Sequence, residues 1–241
     1  MLELLAAATV TALATGLGAV PVFALGEPSS AFRATLLGAA AGSMLVAALV
    51  GLLVPGIGEG GAVPTLAGLV VGVAFMFAVR ARLDRSTAIA SQEGRASALV
   101  FAVLLAHSLP EGLAIGTAYA SGTAALGTFV VIAIAVQNIP EGTSIAMPMA
   151  AAGASPSSQV GAAIASSLPQ PVGAAVAYLV VDEAAALLPL GFGFAAGAML
   201  AVVLAQTWPD ARSFGRRPAV QGAALGAGLM LALDLALDVP L

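Results

Sequence analysis

His107-Ser108-Leu109-Pro110-Glu111-Gly112 and Gln137-Asn138-Ile139-Pro140-Glu141-Gly142 are two versions of one six-residue pattern, both set in long apolar runs. Each places a carboxylate where lipid or packed helices make a charge expensive, which marks a site or a path rather than filler. Four-residue spacing puts His107 and Glu111 on one helix face, and Gln137 and Glu141 on one face of another. Ser108 and Asn138 stand three residues ahead of the acids. If the two helices face each other, an imidazole, two carboxylates and two amide oxygens converge inside the apolar layer. Imidazole suits zinc and its transition-metal neighbours, and carboxylates complement it. Pro110 and Pro140 lack an N–H, so they free the carbonyls of Ala106 and Val136 and kink their helices. Gly112 and Gly142 let another backbone come close. Two other uses stay open at this point: a proton relay on the paired acids, and interhelical hydrogen-bond glue from Gln137 and Asn138.

The elements that must position these groups follow from composition. The chain has 241 residues, is 60% hydrophobic and only 8% charged, against about 25% charged in soluble domains. A bilayer span needs ~20 apolar residues, so eight spans use ~160 and leave short loops. The expectation is therefore a single all-α polytopic membrane domain over 1–241, with no separate soluble domain. Apolar runs predict eight helices near 2–25, 31–55, 62–83, 97–120, 123–150, 158–180, 185–208 and 217–238, separated by breaks at Gly26–Ser29, Pro55–Gly60 and Gly153–Pro156 among others. The N-terminus has no positive n-region and its apolar run is as long as a span, so it reads as the first helix rather than a cleaved signal. Cysteine is absent, which excludes disulfides and thiolate metal sites, and every one of the 8 basic residues is arginine.

The arginines test the helix count. Arg33 falls at the first connection, Arg80, Arg82, Arg85 and Arg95 around the third, and Arg212, Arg216 and Arg217 at the seventh. All lie on one side, and cytoplasmic loops carry the basic excess. Both termini are therefore expected outside. Gly38-Ala39-Ala40-Ala41-Gly42-Ser43-Met44-Leu45 on the second helix resembles Gly193-Phe194-Ala195-Ala196-Gly197-Ala198-Met199-Leu200 on the seventh. These helices run in opposite directions, as do the two Pro-Glu-Gly helices, the fourth and fifth. Pairs 2/7 and 4/5 are what an inverted repeat predicts, with a site near the midplane.

At these residues the chain resembles the ZIP (Zrt/Irt-like) family of divalent metal transporters, and its GufA-type prokaryotic branch in particular. The resemblance covers essentially the whole chain and rests on the paired Pro-Glu-Gly motif. It implies that His107, Glu111, Gln137 and Glu141 are metal ligands, and that Met44, otherwise a core residue, reaches the metal. It also implies a possible homodimer in a prokaryotic cell membrane. Ser108, Asn138 and Gln170 stand at positions that help build a second metal site in two-metal members. Here amides replace carboxylates at two of them, and amides offset cation dehydration poorly. One well-formed site and a weak or absent second one are expected. The His-rich loop frequent in relatives is missing from Asp84–Ala96. Gln206 and the intramembrane Asp234 are secondary candidates, the latter read as a structural acid bonded to a neighbouring helix.

The resulting expectation is transport of a divalent transition metal, zinc first, toward the cytoplasm, with no cofactor beyond the transported ion. Metal binding should displace protons, so transport should depend on pH. A broader carrier of cadmium, iron, manganese or cobalt is the alternative, and a non-transporting metal-binding membrane protein ranks below it. An intramembrane metalloprotease wants His-Glu-x-x-His, and the chain has 1 His in total.

Overall fold

The computed structural model describes residues 1–26, 28–87 and 95–239, with side chains apart from those of 25, 83–106 and 182. Seven stretches are long and apolar enough to cross a membrane: α1 (Leu2–Ala24), α2 (Ser30–Gly60), α3 (Ala62–Arg82, its helix continuing to Thr87), α5 (Ala124–Ala151), α6 (Pro156–Val181), α7 (Ala185–Phe214) and α8 (Arg216–Leu237). The helix carrying the first motif, α4 (Arg95–Ala120), makes the eighth. No strand occurs among the described residues. The loop expected over 84–96 is helical at both ends, and its centre, 88–94, lies outside the described residues.

Tight turns separate the helices where glycine adopts positive φ: Gly26 (76°), Gly61 (88°), Gly122 (74°) and Gly153 (78°). Ser29 and Ser155 then cap the next helices, accepting from Phe32 N and Ser158 N, which satisfies amides the first turn leaves unpaired. Two expected boundaries move. The Pro55–Gly60 break is helical through Gly60, and α7 runs past 208 to Phe214, so only Gly215 separates it from α8. The physical reason is the same in both places. A π-helical stretch, Leu49–Leu53 in α2 and Val203–Thr207 in α7, re-registers the helix just before Pro55 and Pro209. The proline then sits in the first turn of the next α segment, where its missing N–H is tolerated.

Conversely, α1 and α6 are each interrupted. A turn at Gly18–Ala19 precedes Pro21, and a turn at Ser167–Leu168 precedes Pro169. So α1 and α6 share a break before proline, α2 and α7 share a π segment before proline, and α4 and α5 share the Pro-Glu-Gly pattern. All three pairs join helices of opposite direction, which is the inverted repeat read in the sequence.

Small residues let four pairs of helices pack backbone to backbone. A Cβ on Gly38 or Gly42 of α2 would collide with the Ala219 or Ala223 carbonyl of α8, and one on Gly222 or Gly226 with Thr35 or Ala39 of α2. The equivalent pairing joins α3 and α7, through Gly68, Gly72, Gly193 and Gly197. Gly112 and Gly116 of α4 lie against Gln170 and Ala174 of α6, and Gly18 and Gly142 bring α1 and α5 together. In three pairs the contact numbers rise together, and between α1 and α5 the Thr11–Asn138 and Gly18–Thr143 hydrogen bonds do, so the partners are parallel, as alternating spans of matching parity must be. Repeat symmetry maps α2·α8 onto α7·α3 and α4·α6 onto α5·α1. Two four-helix groups result, α1-α4-α5-α6 and α2-α3-α7-α8, which meet mainly where α7 crosses α4 and α2 crosses α5.

Candidate metal site

Helical spacing places Glu111 and Glu141 across the α4–α5 contact, with their carboxyls in hydrogen-bonding reach of each other. Both are buried, as are His107, Ser108, Gln137 and Asn138. The motif glycines explain how further helices reach this point. Gly112 lets the α6 backbone close on α4 beside Gln170, and Gly142 lets α1 close on α5 beside Thr15.

Glu111 is held by two amides. Gln170 Nε2 donates to its Oε2 at 2.6 Å, and Gln137 Nε2 donates to its Oε1 at 3.3 Å. Behind Gln170 lies a network that sequence reasoning missed in part. Thr11 Oγ1 of α1 donates to Gln170 Oε1 at 2.8 Å. Asn138 Nδ2 donates to the Thr11 main-chain carbonyl at 2.6 Å and to Gln170 Oε1 at 3.2 Å. Gln170 Nε2 also donates to Asn138 Oδ1 at 3.2 Å. Next to it Thr15 Oγ1 and Ser167 Oγ are 2.7 Å apart, joining the interrupted helices at their breaks. The sequence signal for this face is Thr11 and Thr15, four residues apart in a mostly apolar helix.

Two buried polar atoms in the site have no hydrogen-bond partner, Gln137 Oε1 and His107 Nδ1. Buried polar atoms are ordinarily paired, so an amide oxygen with free lone pairs and an unpartnered imidazole nitrogen beside two acids form a set suited to a cation. Among the described residues no three His, Cys, Asp or Glu side chains gather into a metal cluster on their own. Gln137 Oε1 offers a further oxygen beside the acids.

A cavity of about 660 Å³ reaches this site, lined by His107 and Glu141 at one end and by Arg33, Asp210, Ser213 and Phe214 at the other, with Gln206 and Thr207 between. Its mouth thus lies at the end of the molecule that holds the first and seventh connections. Arg33 is anchored there by the Pro28 carbonyl, 3.0 Å from Nε, with its guanidinium over the Phe214 ring at 5.6 Å. Nearby, Arg80 Nη1 donates to the Ala205 carbonyl at 2.6 Å. That carbonyl is the one Pro209, four residues on, deprives of an amide.

The remaining candidates are placed as follows. Met44 is fully buried on α2, in the main apolar core. Gln206 lines the cavity. Asp234 is buried on α8, does not line the cavity, and has no hydrogen-bond partner at Oδ1.

The family model described as ZIP Zinc transporter matches residues 81–234. The chain belongs to the ZIP family. It is similar to the zinc transporter GufA of Myxococcus xanthus, 33% identical over 97% of this chain and 98% of that protein. The zinc transporter ZIPB of Bordetella bronchiseptica is 34% identical over 93% of this chain and 78% of its own length. A putative zinc transporter of Arabidopsis thaliana is 35% identical over 83% of this chain, which spans 33% of that longer protein.

Proposed function

We propose that this ZIP protein carries a divalent transition-metal ion, zinc first, across a prokaryotic cell membrane toward the cytoplasm, with both termini outside. It acts as a transporter rather than an enzyme, and needs no cofactor besides the ion it moves. The observation that carries this reading is the cavity that runs from the Arg33 end to His107 and Glu141. The positive-inside rule makes that end cytoplasmic. The arrangement then resembles a release state, with bound metal facing the side to which it is delivered.

In this reading the metal sheds water and binds His107, Glu111, Gln137 and Glu141, with Met44 as a soft fifth ligand. Delivery requires the two helix groups to move against each other around the site. A homodimer is compatible with the exposed apolar faces of α3 and α8, each only 22% buried over its apolar window, which lipid equally covers.

Flux of zinc, cadmium, manganese and iron into liposomes holding the purified protein is the test. Glu111→Ala and Glu141→Ala are each expected to abolish zinc flux while the protein still purifies as a folded species. Retained flux in both would overturn the site. Flux should also fall as pH drops, because carboxylates and imidazole must lose their protons to ligate metal.

A further inference from the structure

We propose that Thr11, Asn138 and Gln170 form a polarity-locked clamp that donates one hydrogen bond, from Gln170 Nε2, to Glu111 Oε2, limits the site to one cation, and leaves Oε1 as the metal-facing oxygen of that carboxylate. The inference rests on the metal-site reading above and specifies what that site can hold.

The locking follows from donors and acceptors. A main-chain carbonyl only accepts, so the Asn138 atom 2.6 Å from the Thr11 carbonyl must be Nδ2. Asn138 Oδ1 then points the other way and accepts from Gln170 Nε2 at 3.2 Å. Gln170 Oε1 accepts from Asn138 Nδ2 at 3.2 Å, and the Thr11 hydroxyl, 2.8 Å away, divides its one proton between this oxygen and the Ala8 carbonyl at 2.8 Å. Gln170 Nε2 is therefore the atom left to face Glu111 Oε2, 2.6 Å away. Turning Gln170 over would set its amide nitrogen against the Asn138 amide nitrogen and its oxygen against a carboxylate oxygen. Both contacts are repulsive, and all three clamp residues are 0% exposed, so no water relieves them.

Two consequences follow. Every side-chain oxygen of Asn138 and Gln170 already accepts a hydrogen bond, and the short bond on Oε2 places a donor where a second cation would need an oxygen. By contrast, the Gln137 bond to Oε1 is long, and Gln137 Oε1 and His107 Nδ1 are unpartnered. The single cation therefore sits on the His107–Gln137 side, and the clamp acts on it through Glu111. Thr11 is a positioning residue in this scheme, since it touches the site only through its neighbours. Removing such an outer partner typically weakens metal binding about 10- to 100-fold.

The test is zinc binding to the detergent-purified full chain by equilibrium dialysis, with metal content measured by elemental analysis. The wild type is expected to bind one equivalent. Thr11→Val should still bind one, about tenfold more weakly, and Thr11→Ser should restore wild-type affinity, which a purely packing role would not predict. Converting the clamp to carboxylates, Asn138→Asp with Gln170→Glu, should add a second equivalent. Two equivalents in the wild type, or one in the double variant that remains monodisperse, would overturn the clamp and leave the transport site standing. No binding by the wild type would overturn both.

Discussion

The Pro-Glu-Gly triplet divides its labour among its residues. The acid brings charge into the membrane, the glycine seats a neighbouring helix, and the proline sets a backbone carbonyl free. That His107 shares a helix face with Glu111, and Gln137 with Glu141, was legible from spacing, because four residues on a helix fix a common face. Thr11 was not singled out, because a threonine in an apolar helix ordinarily bonds its own backbone, as Thr9 does to the Leu5 carbonyl and Thr11 itself to the Ala8 carbonyl. Only the fold reveals that Thr11 also reaches Gln170. Of the ligand candidates, Gln137 gives the most specific expectation, since its Oε1 is buried and unpartnered. Gln137→Leu keeps the volume and removes that oxygen. It should weaken zinc binding by about tenfold or more in dialysis without loss of the folded protein.

At the scale of elements, most helices were legible and their interruptions were not. Hydropathy reports length, and it does not distinguish an α-helix from one with a π segment or a single turn of broken ladder. Pro55 read as an end because proline breaks helix interiors, yet the π segment before it moves that proline into a first turn. The small-residue seams were visible as Gly-xxx-Gly, but which helices they joined was not. Gly226 and Gly228 of α8 make a controlled comparison. A methyl group at 226 would strike the Ala39 backbone, whereas nothing lies within 4 Å of one at 228. Overpacking of this kind costs about 1–3 kcal/mol. Gly226→Ala should lower the thermal unfolding temperature in detergent, and Gly228→Ala should leave it unchanged or raise it.

For the whole molecule, the distribution of charge is the main guide to orientation. Arg33, Arg212, Arg216 and Arg217 gather at one end, while Glu3, Glu59 and Glu183 lie at helix ends on the opposite side. The absence of cysteine makes this directly measurable. With single cysteines introduced in intact cells, Glu183→Cys should react with a membrane-impermeant maleimide. Ser157→Cys, at the opposite end and also exposed, should react only after permeabilisation. The reverse pattern would invert the topology and with it the direction assigned to the cavity.

The parallel seams also constrain how the chain is made. None of the four close pairs joins neighbours in sequence: α1 meets α5, α4 meets α6, α3 meets α7, and α2 meets α8. Helices leave the ribosome in order, so α2 enters the bilayer with its glycine face uncovered and keeps it so until α8 is synthesised. A nascent chain halted before Arg216 would hold the complete motif pair and both interrupted helices, yet leave the α2 seam open to lipid or to a foreign helix. Quality control in the membrane would therefore have one late event to monitor, the arrival of α8.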